Sequence, residues 1–391
     1  MYKNALLNTL SAIISLLLNL LVLSLTSRIL GAEGRGFYTY FLSYSALVQL
    51  FTGIVGNSVM VYMLNRIDEK SVLTLTFFWS IVVSLFSTVL LPCIDTFFEG
   101  KLLLFACVTI FQVLHINYMN YLAYTLCFRK VLIFRLTQPL ILVSLVSCFK
   151  SVNDPEIVLF FLGISYLPSF FSYLRINIRS VCTVDLSRLK SDFIYYFKLG
   201  GLNQINNIMQ FACYRLVIWL LFFYTSMDSV GVFGIWLSLV EALWLIPVNI
   251  AYVNHAYIAK GEKSFNILYV SIISSSIVIF CIIIALITPD SLYINILGKD
   301  FGEIKKLIFV SSSGIVMFSF GKILSSFFSA KGDIKYNTIG SAAGLFVTLI
   351  FGFYFVRIYG LKGAVLTNTI SYIVTTLTLV YLYNLKSRTQ D

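Results

Sequence analysis

Apolar stretches of membrane-spanning length follow one another along almost the whole of this chain, and that rhythm leaves few folds open. About 20 apolar residues in a helix cross a bilayer. Twelve stretches qualify: 5–27, 37–64, 72–92, 102–125, 131–149, 157–177, 200–224, 230–258, 267–288, 307–329, 336–357 and 363–385. The fifth is the shortest and contains Arg135 and Pro139. Only 12% of residues are charged, against about 25% in a soluble domain, and no polar block is long enough to enclose a core in water. The expected fold is all-α and integral to the membrane, with about twelve transmembrane helices. The first run is longer than the apolar centre of a cleavable leader, so it reads as a retained membrane helix.

The formal charge of +11 raises nucleic acid as a partner, but the basic residues sit in short loops between apolar runs. With the N-terminus in the cytoplasm, 17 Lys and Arg fall on the inner side and 9 on the outer, and Arg215 and Lys322 lie within spans. That asymmetry follows the positive-inside rule and places both termini in the cytoplasm, with the chain in the cytoplasmic (inner) membrane. Anionic lipid on the inner face accounts for the charge, and nucleic acid is not needed. The seven cysteines stand apart and there are two histidines, so neither a disulfide framework, a metal centre nor a cofactor is indicated. No Walker lysine, HExxH, GxSxG or embedded pair of catalytic carboxylates occurs, and an enzyme is not expected.

The longest inner segment, 178–199, has Leu186, Leu189, Phe193, Tyr196 and Phe197 at helical spacing among basic residues. It reads as an amphipathic linker on the inner leaflet, dividing the chain into an N-terminal six-helix bundle (1–177) and a C-terminal one (200–391). A shift of 195 residues brings "GAEGRGFYTYFLSYSALVQLF" (31–51) over "SMDSVGVFGIWLSLVEALWLI" (226–246). Gly36 then matches Gly231, with Tyr38 over Phe233, Leu42 over Leu237 and Ser43 over Ser238. Six spans return the chain to the same side, so such repeats are parallel, and transporters of this kind hold substrate in a central cavity between the halves.

"SRILGAEGRGFY" after the first span resembles the R-x-L-G-x-x-x-x-G-x-[YF] signature of polysaccharide flippases in the MOP superfamily, as does "SMDSVGVFGI" after the seventh. Gly360, Gly363 and Ala364 in "IYGLKGAV" resemble that family's late G-x-x-G-A segment. The pieces are spread over the whole chain. The resemblance is to Wzx-type O-antigen or capsule repeat-unit transporters, and it implies transfer of an undecaprenyl-diphosphate-linked oligosaccharide from the inner to the outer leaflet. Membrane lipid, a polysaccharide polymerase and a chain-length regulator are the partners it implies, in capsule or lipopolysaccharide assembly.

Charges inside spans face a cavity or a partner, because each costs about 2.5–3.5 kcal/mol on insertion scales. Arg215 lies roughly 13 Å and Glu241 roughly 16 Å from the outer ends of consecutive antiparallel spans, at 1.5 Å per residue. Either they form a structural ion pair, or Arg215 receives a diphosphate while Glu241 orients or competes with it. Lys322 lies beside Gly321, Ser325 and Ser326, and reads as cavity-lining or as snorkelling. His115, between Gln112 and Asn117, reads as a packing residue or a proton relay. Arg28, at the end of span one, is a further candidate for phosphate. Amides on spans one (Asn4, Asn8, Asn19) and seven (Asn203–Gln210) are placed to bond sugar hydroxyls or neighbouring helices. A cation-coupled small-molecule exporter of the MATE type shares this architecture and would use Glu241. A membrane glycan polymerase would need an outer loop longer than the longest one here, 289–306.

Overall fold

The computed structural model describes residues 2–149, 153–259 and 266–388, with side chains left undescribed at 2–13, 57–58, 128, 186–187, 202–203, 252–259 and 387–388. Asn4, Asn8, Asn203 and Leu186, and the basic residues at 3, 150, 260, 263 and 388, lie outside the described side chains. Thirteen α-helices follow in order, and no strand occurs among the described residues. They are α1 (Tyr2–Thr52), α2 (Asn57–Met63), α3 (Glu69–Ile94), α4 (Leu102–Tyr124), α5 (Phe128–Cys148), α6 (Pro155–Ser165) and α7 (Leu167–Val181). After these come α8 (Leu186–Tyr224), α9 (Met227–Ala259), α10 (Ile267–Ile287), α11 (Asp290–Leu297), α12 (Ile304–Ala330) and α13 (Ile334–Arg388).

Among the described residues nine helices are long and apolar enough to cross a membrane, or ten with α6 and α7 taken as one span bent by 41°. Pro168 sits in the first turn of α7. Without an N–H, and with its ring against the carbonyl four residues back, it cannot continue α6. Two of the nine are double. At 1.5 Å per residue, α1 and α13 are each on the order of 80 Å long, more than twice the hydrocarbon thickness. Both are broken by a glycine outside the helical region: Gly31 at φ 64°, ψ −171° and Gly360 at φ 54°, ψ −127°. Each break falls where the hydropathy pattern separates two crossings.

Polarity is inverted relative to a soluble protein. In α3, Ser80, Ser84 and Thr88 recur every four residues and are buried, while Phe78, Val82, Phe86 and Val89 on the other side are exposed. The Ser80 and Thr88 hydroxyls donate to the carbonyls of Thr76 and Ser84. In α10, Ser271, Ser274 and Ser275 are buried, and Tyr269, Ile272 and Phe280 are exposed. Small hydroxylated residues inside and large apolar ones outside is the pattern of helices dissolved in lipid.

Two elements differ from the hydropathy reading. The second span, expected as continuous over 37–64, stops at Thr52 and resumes at Asn57. Gly53 and Gly56 flank the gap, and the Phe51 carbonyl accepts both the Ile54 N–H at 3.3 Å and the Trp79 indole N–H at 3.1 Å, which satisfies the backbone where the ladder breaks. The linker 178–199 is not a separate helix: its first part ends α7, and from Leu186 it runs into span seven as the 39-residue α8. Its aromatic face is only partly free. Tyr196 is fully buried and hydrogen-bonded to Thr76, and the Phe193 and Phe197 rings lie 5.7 and 5.6 Å from Trp79.

The chain divides into two compact units. One holds the chain up to Leu30 with Phe41–Ile205, and its core gathers Met60, Met63, Tyr118, Tyr173 and Tyr196. The other holds Gly31–Tyr40 with the chain from Asn206 onward, and there α12 packs on α9, α10 and α13. Within this second unit the two signature segments touch. A methyl on Gly36 would stand 1.9 Å from the Met227 carbonyl oxygen, and one on Gly231 would stand 2.0 Å from the Ala32 carbonyl oxygen. Met227 is Ala32 shifted by 195, as Gly231 is Gly36. The contact is therefore reciprocal, as a two-fold axis requires. A Cβ on Gly234 would reach the Thr39 hydroxyl at 2.3 Å, and these two positions are also each other's counterparts.

Candidate substrate-binding site

Three of the five sequence candidates meet in the second unit. Arg215, on α8, donates from Nη2 to Glu241 Oε1 on α9 at 2.9 Å, with the two side chains 26% and 44% exposed. Lys322, on α12, is half-buried and has no carboxylate within ion-pair distance among the described residues. Its Nζ instead stands over three rings, 4.8 Å from the centre of Phe318, 5.4 Å from Tyr214 and 5.9 Å from Trp244. Glu241 is within electrostatic reach of the Lys322 ammonium and the Tyr372 hydroxyl.

The rings belong to one cluster. Trp244 lies 4.7 Å from Phe318 and 5.0 Å from Tyr372, and Phe318 lies 4.9 Å from Tyr372. Tyr214 closes the group, 5.5 Å from Phe318 and 5.8 Å from Tyr372. The Trp244 indole donates to the Ile315 carbonyl at 3.1 Å, which fixes the ring against α12. Asn368 donates to the Tyr372 hydroxyl at 3.3 Å, while its own buried Oδ1 finds no hydrogen-bond partner. A face of aromatic quadrupoles attracts a cation that has no anion to pair with. Two cations and one carboxylate leave the cluster with an excess positive charge.

Sequence reasoning missed the aromatic part, although its signal was present. Trp244 is three residues after Glu241 and Phe318 four before Lys322, spacings that share a helix face. Tyr214 directly precedes Arg215. The other two candidates lie in the first unit. His115 Nδ1 is 2.7 Å from Ser169 Oγ, and its ring centre is 5.2 Å from that of Tyr166. Arg28 is exposed. Of the amides, Asn206 Oδ1 accepts from Ser341 at 3.1 Å and Gln210 bonds the Tyr214 hydroxyl, both in the second unit.

No family model matches the chain. The capsular polysaccharide biosynthesis protein CapF of Staphylococcus aureus is 32% identical over 102 residues, 26% of each chain. The match thus spans about a quarter of that curated relative. Solved structures align over nearly the full length. Lipid II flippase MurJ in its inward closed conformation superposes with a TM-score of 0.73 at 15% identity, covering 96% of this chain and 87% of that one. An inward-facing multidrug resistance MATE transporter of the MOP superfamily gives 0.66 at 14% identity, covering 95% and 94%. The chain has the fold of these two structures. A third structure with this fold, a MOP superfamily transporter from Pyrococcus furiosus with a binding pocket of reverse polarity, gives 0.60 at 12% identity, covering 98% and 94%. These MOP-fold neighbours are transporters and flippases rather than enzymes.

Proposed function

We propose that this chain is a flippase that moves an undecaprenyl-diphosphate-linked oligosaccharide from the inner to the outer leaflet of the cytoplasmic membrane by alternating access. The observation that carries this reading is the meeting of Arg215, Lys322 and Glu241, each on a helix long and apolar enough to cross a membrane. Ionised side chains are costly there, and an excess of positive charge favours an anionic cargo. A polyprenyl diphosphate supplies one, with its tail left in the bilayer. Carrying negative charge outward across an inside-negative membrane is favoured by about 2.3 kcal/mol per charge per 100 mV, so the potential itself assists export. The CapF match, partial as it is, supports a glycan cargo. A polysaccharide polymerase and a chain-length regulator would receive the product, and capsule or lipopolysaccharide assembly is the setting.

The MATE-type exporter shares the fold. It would need an acid free to take a coupling cation, and Glu241 is held by Arg215. A strain lacking the gene tests both readings. The flippase reading expects lipid-linked repeat units to accumulate on the cytoplasmic side and surface glycan to be lost. Arg215→Ala and Lys322→Ala should fail to restore glycan at normal membrane abundance. The exchanged pair, Arg215→Glu with Glu241→Arg, should restore stability but not glycan. Normal glycan with either alanine variant overturns the site, and heightened sensitivity to organic cations with intact glycan favours the exporter.

A further inference from the structure

We propose that Glu241 and the aromatic cluster are internal stand-ins for the substrate: they hold Arg215 and Lys322 at rest, and a diphosphate binds by displacing Glu241 and drawing Lys322 off the rings. The substrate in this statement rests on the flippase reading, whereas the displacement itself rests on the geometry of the second unit.

Arg215 is held at one guanidinium nitrogen, Nη2, by one carboxylate oxygen. A guanidinium offers five donors in a planar fork suited to phosphate, so most of its capacity is unspent on Glu241. Both side chains are partly exposed, at 26% and 44%, so an incoming anion can reach the pair. Lys322 is held by rings at 4.8–5.9 Å and has no acid within ion-pair distance among the described residues, Glu241 acting on it only from further off. Attraction to a ring face is weaker than a charge-assisted hydrogen bond to a phosphate oxygen, and the lysine stem is flexible enough to change partners.

Competition of this kind sets a threshold. A monoanion recovers little, because it brings one charge against a carboxylate already seated on Arg215. A diphosphate can engage both cations at once. Glu241 is then a specificity-determining residue, and loosening either stand-in raises affinity for the polyanion. A purely structural role for these groups has the opposite sign, since removing a support weakens the site.

The purified full-length protein in detergent, titrated calorimetrically with inorganic pyrophosphate, reads that sign. Glu241→Gln keeps shape and removes charge, and it should bind pyrophosphate about tenfold more tightly than the natural chain. Phe318→Leu should also tighten binding, and Arg215→Ala should abolish it. Inorganic phosphate should gain more than pyrophosphate from Glu241→Gln, because the threshold has gone. Unchanged or weaker binding by Glu241→Gln, with a normal thermal melt, overturns the proposal. A short prenyl diphosphate run alongside separates the sources: tighter binding than pyrophosphate supports a lipid headgroup, and equal binding overturns that assignment. Because pyrophosphate is itself the probe, a deletion strain that still displays its glycan removes the flippase reading and leaves the displacement result standing.

Discussion

Gly31 shows how much one residue can decide. Its φ of 64° with ψ of −171° is a conformation that side chains essentially exclude, at about 1–3 kcal/mol. Once past it the chain is helical again, and the first N–H of the new helix, from Ala32, donates to Asp300 Oδ2 at 3.0 Å. A carboxylate at a helix N-terminus satisfies an orphan donor and faces the positive end of the dipole. Asp300→Ala should therefore cost about 1 kcal/mol, as loss of an N-cap does, and Asp300→Asn less, because an acceptor oxygen remains. Gly31→Ala should cost about 1–3 kcal/mol through backbone strain. Unfolding midpoints in mild detergent check the order, and an Asp300→Ala protein as stable as the natural one would remove the cap. The glycine was legible in the sequence as a turn between spans. Asp300 was not, because it is 268 positions away and nothing in its neighbourhood marks it as a cap.

At the scale of elements, the reciprocal glycine contact makes a sharper demand than the motif did. Gly36→Ala and Gly231→Ala each set a methyl against a backbone carbonyl at about 2 Å, which no rotamer relieves. Each should cost about 1–3 kcal/mol, and the double variant should cost less than the sum, because the first substitution already parts the segments. Gly201 is the control. A methyl there meets nothing within 4 Å, and Gly201→Ala should stabilise α8 by about 0.5–1 kcal/mol. Additive losses at 36 and 231 would mean that the two contacts are independent. The sequence carried the 195-residue register of this contact but not its closeness. It carried the spans because twenty apolar residues leave little choice in lipid, and it concealed the break at 53–56 because Phe51, Ile54 and Val55 are as apolar as any helix interior. The aromatic cluster stayed hidden for another reason. Tyr214, Trp244, Phe318 and Tyr372 sit on four different spans, and in a chain with 35 Phe and 24 Tyr no single ring stands out.

For the whole molecule, orientation is the property on which an export direction depends, and the charge pattern of the sequence makes a prediction about it. Seventeen basic residues on one side and nine on the other predict that the loop after α7 lies in the cytoplasm and the ends of α3 and α5 outside. Free cysteines mark these places: Cys93 near the end of α3, Cys148 at the end of α5 and Cys182 just past α7, all exposed. A membrane-impermeant maleimide applied to intact spheroplasts should label single-cysteine chains bearing Cys93 or Cys148 and spare the one bearing Cys182 until the membrane is opened. The reverse pattern would turn the molecule over and make the basic face external, against the positive-inside rule. Labelling of all three from outside would break the alternation of spans between them. Because Cys148 and Cys182 are separated only by α6 and α7, which are bent by 41° at Tyr166, opposite accessibility at these two sites also requires that the bent pair crosses the membrane as one span rather than entering and leaving on the same side.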